Sequence, residues 1–330
     1  MKTILAISLL TSGLVSLSVG AERPFRVTLR VLDNEGQPVV AAKAGVGFEK
    51  EGTSADAERT TGANGLTDEN GTILLDGSTW FNELHYGAAK AGYYRTIGLK
   101  FRFDQASGSR WEPWNPTIEV VLKRIKNPVP MYARTVTVGI PAKDAPVSYD
   151  LEVGDWIAPY GKGNVADMTF LATGEVKDSE NFRGELTVTF PGFGNGIQCV
   201  EIEKPDGSML RMPYEAPDEG YASKWTLRSV LWMDESHRHV VERIDGSNRE
   251  RNFFFRVRSV VNGDGKVVQA YYGKIHAPFT FDPRGERGLP FVSFTYFLNP
   301  DGTRNVEFDP KRNLFKPASD RDSAFWNLGP

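Results

Sequence analysis

A chain of 330 residues with a net charge of -3 lacks the basic excess of a general nucleic-acid binder, so no nucleic-acid partner is expected. The length suffices for two ordinary domains. Its 33 glycines and 20 prolines favour many turns and short strands over long helices.

Residues 1–21, MKTILAISLLTSGLVSLSVGA, read as a secretory signal peptide. Lys2 supplies the positive start, residues 4–17 a short apolar core, and Val19 and Ala21 the small residues before a cut after Ala21. The apolar run contains Ser and Thr and is short for a membrane span. No other stretch is apolar enough to cross, so no span is expected after cleavage, and the expected location is secreted or periplasmic. The single cysteine, Cys199, leaves no intramolecular disulfide. Stability must then come from core burial, and Cys199 reads as a buried structural thiol.

After the leader, Phe25, Val27, Leu29 and Val31 alternate with Arg26, Thr28 and Arg30, which is the period of a half-buried strand. Residues 33–36 (DNEG) and 69–71 (ENG) read as turns, with Asp and Asn holding the backbone and Gly accepting positive φ. Further strands are expected at residues 44–48, 73–75, in AGYYRTIGLKFRF and in TIEVVLKRI. Residues 51–61 are polar and read as a loop. KRIKNPVPM carries two prolines that interrupt pairing, which places a domain boundary near Asn127.

The remaining two hundred or so residues alternate as well. QCVEIEKPDGSMLRMPY predicts a hairpin about Pro-Asp-Gly. NFFFRVRSVVNGDGKVVQAYYGKI predicts another, with Phe253, Phe255 and Val257 on one face and Phe254, Arg256 and Arg258 on the other. DESHRHVVERI fits a strand from His239 to Ile244. Val292, Phe294, Tyr296 and Leu298 alternate into NPDG, and Val306 and Phe308 alternate out of it. That pattern predicts a closing hairpin with Asn305 and Glu307 on its polar face. Outside the leader no stretch sustains helical periodicity, so the fold class is all-β.

Nucleophile elbows, P-loops and H-E-x-x-H are missing, and no cofactor is expected. GKGNVA and GFGNG look like fragments of nucleotide loops, but neither opens a helix, so both read as β turns. His237 and His239, two apart, would share one side of a strand and begin a zinc site with Asp234, Glu235, Glu242 or His276. Read as exposed histidines beside a turn, they give no metal site. Asp150, Glu152, Asp155, Asp234, Glu235 and Asp282 could supply the carboxylate pair that glycoside cleavage needs. Ligand-binding candidates are Trp111 and Trp114, in the Pro-bounded loop SRWEPWNP, which could stack on sugar rings. Arg256 and Arg258 join them, since a shared face could bind an acidic glycan or a partner carboxylate; a solvated strand face is the default reading.

The ordered set VLDNEGQPV, TDENG, KAGYY and VVL resembles carboxypeptidase regulatory-like domains over residues 25–123. That resemblance implies a small transthyretin-like or Ig-like β-sandwich acting as a non-catalytic scaffold or contact domain. NPVPMYARTV, DLEVGDWIAPYGKG and RNVEFDPKRNLF resemble secreted bacterial proteins that carry such a domain. The resemblance implies compartment and architecture and carries no catalytic residues. The expected organisation is therefore a signal peptide (1–21), an Ig-like/transthyretin-like β-sandwich (22–126) and a larger antiparallel β-sandwich domain (127–330). The expected function is non-catalytic binding or structure, with a protein or glycan partner. The alternative is a carbohydrate-active enzyme using a carboxylate pair in the second domain.

Overall fold

The structure, a computed structural model, describes residues 22–48, 62–201, 207–233, 239–244, 251–285, 288–325 and 328–330. The expected signal peptide, Asp234, Glu235 and His237 lie outside the described residues. Among those described, the regular structure is β-strand, with a 3-10 turn at Ser323–Phe325 and no α-helix. Among the described residues no helix is long and apolar enough to cross a membrane.

The first nine strands are β1 (Arg23–Asp33), β2 (Lys43–Gly47), β3 (Asn64–Leu66), β4 (Thr72–Thr79), β5 (Glu83–Ala89), β6 (Thr96–Arg102), β7 (Gln105–Ser107), β8 (Arg110–Glu112) and β9 (Thr117–Leu122). Next come β10 (Val129–Gly139), β11 (Val147–Asp150), β12 (Asp155–Trp156), β13 (Met168–Val176), β14 (Phe182–Thr189) and β15 (Gly196–Glu201). The chain continues with β16 (Lys224–Met233), β17 (His239–Ile244), β18 (Arg251–Val261), β19 (Val267–Asp282), β20 (Phe291–Asn299) and β21 (Phe308–Asn313).

The chain divides into two compact units. One holds Met1–Leu32, Gln37–Ala88 and Gly98–Val120; the other holds Asp33–Gly36, Ala89–Ile97 and Val121–Pro330. In the first, β1 lies between β4 and β9, and β2 and β5 run inside a four-stranded sheet ordered β3-β2-β5-β6. The alternation of β1 does what its sequence predicts. Phe25, Val27, Leu29 and Val31 are buried, and Phe25 meets Phe48 edge-on at 5.2 Å.

The second unit holds two six-stranded sheets, ordered β15-β18-β19-β20-β10-β21 and β12-β11-β13-β14-β16-β17. Their facing side chains share one core, which makes a β-sandwich. Phe170 of β13 stacks on Phe294 of β20 at 5.8 Å, and Phe190 stacks on Phe255 of β18 at 6.3 Å. The opposite face of the first sheet carries a smaller core of Met131, Ala133, Phe254, Tyr272, Phe297 and Phe308. The NGDG turn joins β18 to β19 as expected, with Gly265 at φ 75°.

Two predicted hairpins are different objects. Pro205 and Asp206 of the first lie outside the described residues, and the described segment from Gly207 does not pair with β15: Gly207 and Met209 instead exchange backbone hydrogen bonds with Ile97 and Arg95. NPDG does reverse the chain, held by buried Asn299, whose Nδ2 donates to Asp301 Oδ1 and to the Asn305 carbonyl. The returning strand β21, however, pairs in parallel with β10 rather than with β20. Glu307, expected on a polar face, is 1% exposed. Its carboxylate accepts from the Tyr94 hydroxyl at 2.7 Å and from the N–H groups of Lys126 and Asn127 at 2.8 and 2.6 Å. Paired donors make that burial tolerable.

Candidate functional site

Arg256 and Arg258 do not share a face. The register of β18 against β19 shifts between Val257 and Val260, and Arg258 sits at φ 53°, in the left-handed region. This bulge turns Arg258 toward the inside of the sandwich. There its Nε and Nη2 grip Asp167 at 2.9 and 2.8 Å, Nη2 reaches Asp150 at 3.0 Å, and Nη1 bonds Glu152. Arg256 stays on the other face. Its Nη1 donates to the Asp218 carbonyl at 2.8 Å, and its guanidinium lies 4.6 Å from the Tyr221 ring centroid.

The carboxylates around Arg258 are structural clasps. Asp150 and Asp167 side chains are 2% and 1% exposed. Asp150 accepts N–H bonds from Glu152, Val153, Asn164 and Val165, and Asp167 accepts one from Leu151. Burial pushes Asp150 up, but the N–H groups of Asn164, Val153 and Val165 and the Arg258 charge outweigh it, holding the carboxyl below its usual range. For Asp167 burial prevails over Arg258 and the Leu151 N–H, and its affinity for a proton is raised. Burial works against the Arg258 charge, yet Asp167, Glu152 and Asp150 together hold it firmly cationic.

The tryptophan candidates are also engaged. Trp111 donates Nε1–H to the Thr79 carbonyl at 3.1 Å, stacks on Phe103 at 5.9 Å and has the Arg23 guanidinium 5.6 Å from its centroid. Trp114 has two guanidiniums over its ring, Arg26 at 5.3 Å and Arg110 at 4.8 Å. Both rings are half-buried. His239 opens β17, His276 is half-buried beside Phe297, and among the described residues no group of His, Cys, Asp and Glu could hold a metal ion.

What sequence reasoning missed is a groove of about 590 Å³ between β10 and the β11–β12 turn. Val136, Val138, Tyr149 and Trp156 supply apolar lining; Arg134, Asp155, Lys162 and Ser323 supply polar groups. The three stretches at residues 127–136, 150–163 and 304–315 meet beside it. Arg134 donates Nη1–H to the Gly154 carbonyl at 3.0 Å, and its guanidinium lies 5.5 Å from the Phe315 centroid. Gly154 is at φ 69°, in the left-handed region, and a Cβ there would stand 2.6 Å from Arg134 Nη1, so this turn favours glycine. Asp155 uses Oδ1 for the Trp156 N–H and Oδ2 for the Lys162 N–H, which closes the loop. Arg134 Nε is buried without a hydrogen-bond partner, and neither Arg134 nor Lys162 has an ion-pair partner among the described residues. The groove is thus a partly apolar cleft lined by two cations and one carboxylate, with neither cation in an ion pair among the described residues.

No protein-family model matches the sequence, and no curated protein matches it. Solved structures with partial likeness include chlorocatechol 1,2-dioxygenase from Pseudomonas putida, at 10% identity over 31% of this chain and 61% of that one, with a TM-score of 0.25. Hydroxyquinol 1,2-dioxygenase from Pseudomonas putida DLL-E4 overlaps at 15% identity over 38% of this chain and 67% of that one, with a TM-score of 0.23. An intradiol ring-cleavage dioxygenase from Tetranychus urticae overlaps at 20% identity over 31% of this chain and 61% of that one, with a TM-score of 0.21. The first of these is covered over less than two thirds of its length, and overlaps of this size bear on no chemistry here.

Proposed function

We propose that the chain is a secreted or periplasmic, non-catalytic binding protein of two β units, with a protein or glycan as ligand. The first unit is a carboxypeptidase regulatory-like scaffold module, and the groove beside β10 in the second unit is the ligand contact. The observation carrying this reading is the contrast between acids held in ion pairs and groove cations that have none among the described residues. Asp150, Glu152 and Asp167 are tied to Arg258, and Asp282 is tied to Arg284 at 2.8 Å. Arg134 and Lys162 line the groove beside Asp155, and neither forms an ion pair among the described residues. A cleft with apolar walls and a few convergent polar groups is the usual form of a binding site.

The alternative, a carbohydrate-active enzyme, draws on Asp150 and Asp167, whose surroundings push their proton affinities apart. Arg258 bridges that pair, and no substrate could reach both acids without displacing it. A glycan array and a displayed-peptide library, run beside hydrolysis of the same glycans, test the proposal with Ala324→Trp as a groove-filling variant. Binding abolished by Ala324→Trp at unchanged thermal stability supports it. Turnover that survives Ala324→Trp and is lost in Asp167→Asn overturns it.

A further inference from the structure

Residues 207–216, GSMLRMPYEA, run as an extended strap over the outer face of the first six-stranded sheet. Burial along it alternates: Ser208, Leu210 and Met212 are buried, and Met209 and Arg211 are exposed. Met212 and Ala216 pack into one core with Phe254 of β18, Tyr272 of β19 and Phe297 of β20. The strap joins no sheet and is pinned at separate points instead. The Gly207 carbonyl accepts from the Ile97 N–H at 2.9 Å, and the Met209 N–H donates to the Arg95 carbonyl at 2.8 Å. Lys123 Nζ donates to the Leu210 carbonyl at 2.8 Å, the Tyr214 hydroxyl to the Arg124 carbonyl at 2.6 Å, and the Ala216 N–H to the Arg304 carbonyl at 2.8 Å.

Two bases lie in the sheet face that the strap helps to cover. Lys274 sits between Phe254 and Phe297 in the register of β18, β19 and β20, with its Nζ 5.1 Å from the Phe297 ring centroid. His276, two residues on, lies against the same ring at 4.5 Å. Lys274 Nζ and His276 Nε2 are both buried without a hydrogen-bond partner. The charged or titratable groups facing them are Glu307 from the β20–β21 connection and Arg211 from the strap itself. Glu307 spends its oxygens on the Tyr94 hydroxyl and on the N–H groups of Lys126 and Asn127, so it attracts the ammonium without bonding it. A neutral amine over a phenyl ring is tolerable there; an ammonium has three donors and no acceptor.

We infer that residues 207–216 are a pH-operated strap, closed at alkaline pH and released as Lys274 and His276 take up protons beneath it, which uncovers the apolar patch of Phe254, Tyr272 and Phe297. Release of the strap is the cheapest way to bring water to the ammonium. The alternative breaks the ladders of β18, β19 and β20 in the middle of a sheet, whereas the strap has only its separate pins to lose. Burial lowers the pKa of Lys274 to about 7, against about 10.4 for an exposed lysine. The open form therefore binds the extra proton between those limits, and opening becomes easier as the pH falls from about 10 to about 7. His276, held neutral by burial and by Lys274 and Arg211, adds to the effect once the pH drops below its exposed value of about 6.5.

Hydrogen exchange of the full chain tests this, with rates corrected for the intrinsic pH dependence of exchange. The Met209 and Ala216 amides report the strap, and the Phe254, Lys274 and Phe297 amides report the sheet. Strap protection is expected to fall by up to about tenfold per pH unit from pH 9 to pH 7, while the sheet amides keep theirs. Lys274→Met should hold the strap closed and abolish that slope. His276→Phe should keep the slope and remove the further loss below about pH 6.5. Tyr214→Phe loses one pin, so its strap should open several-fold more at every pH with the slope intact. Protection of the strap that ignores pH in wild type and in Tyr214→Phe overturns the inference without recourse to the lysine variant. So does an unchanged slope in Lys274→Met. Parallel loss of protection in the sheet amides would show unfolding of the whole unit and overturn it as well.

Discussion

Replacing Arg258 with methionine would keep an unbranched side chain but leave Asp150 and Asp167 buried without their cation. Breaking a buried pair by removing one partner typically costs about 3–5 kcal/mol, and urea unfolding of Arg258→Met should show a loss of that order. The deficit should shrink as the pH falls through the carboxylate range, because protonation removes the stranded charges. Lys274 presents the opposite case. It is fully buried on β19, its Nζ has no hydrogen-bond partner, and burial lowers its pKa to about 7 despite the Glu307 carboxylate nearby. His276 and Arg211 are the other charged or titratable groups of this region, and burial, Lys274 and Arg211 keep His276 neutral. The folded-state pKa of Lys274 lies below the unfolded value of about 10.4. The unfolded chain therefore binds the extra proton between those limits, and stability should rise with pH from about 7 to about 10. The slope approaches about 1.4 kcal/mol per pH unit. Lys274→Met should unfold at higher urea at pH 7 and lose that slope. Sequence marked Arg256 and Arg258 as a basic concentration, but period two placed them on one face. A one-residue bulge with a left-handed arginine leaves no trace in an alternating pattern, so the clasp was not legible.

Strands themselves were readable wherever one face is buried, because burial imposes the period. The β1 and β20 patterns are instances. Partners were not readable, because pairing depends on residues far apart in the chain. Asn313 meets Ala133 across 180 positions, and no local pattern announces that contact. Its carboxamide continues the ladder one residue beyond β21, and its Oδ1 also accepts the Phe315 N–H at 3.0 Å, turning the chain onto Tyr132. One side chain thus ends the pairing of β21 with β10. Asn313→Ala removes both bonds to Ala133 and the turn. It should cost about 1–3 kcal/mol, given the worth of hydrogen bonds whose partners are left buried. Hydrogen exchange would locate the damage, with the Ala133 amide losing protection while the β10–β20 amides keep theirs. Loss of protection throughout β20 would show instead that the strand pair depends on this clasp.

At the scale of the molecule, the sequence suggests a cut near Asn127, and contact organises the chain differently. The second unit includes Asp33–Gly36 and Ala89–Ile97, which lie well before that point. These segments supply the Tyr94 hydroxyl on Glu307, the Ile97 and Arg95 bonds to the 207–209 segment, and the Asp33 carboxylate that grips Arg124 at 2.7 Å. A chain beginning at Asn127 would lose all of them and expose the core beneath. Linkers are read from proline and composition, which report where pairing is interrupted. They cannot report that two earlier loops complete a later core. Residues 127–330 expressed alone should therefore be much less stable than the same unit in the full chain. Circular dichroism should give a transition at lower urea, and rapid exchange is expected in the 304–308 segment. In the full chain Tyr94→Phe removes one donor and leaves Glu307 the N–H groups of Lys126 and Asn127, so its cost should be only about 1–2 kcal/mol. If the truncated chain matched the full chain in midpoint and exchange, these segments would be accessories and the boundary at Asn127 would stand as a true domain limit. A large deficit in the truncation beside a small one in Tyr94→Phe would mean that the segments act together, as parts of one core.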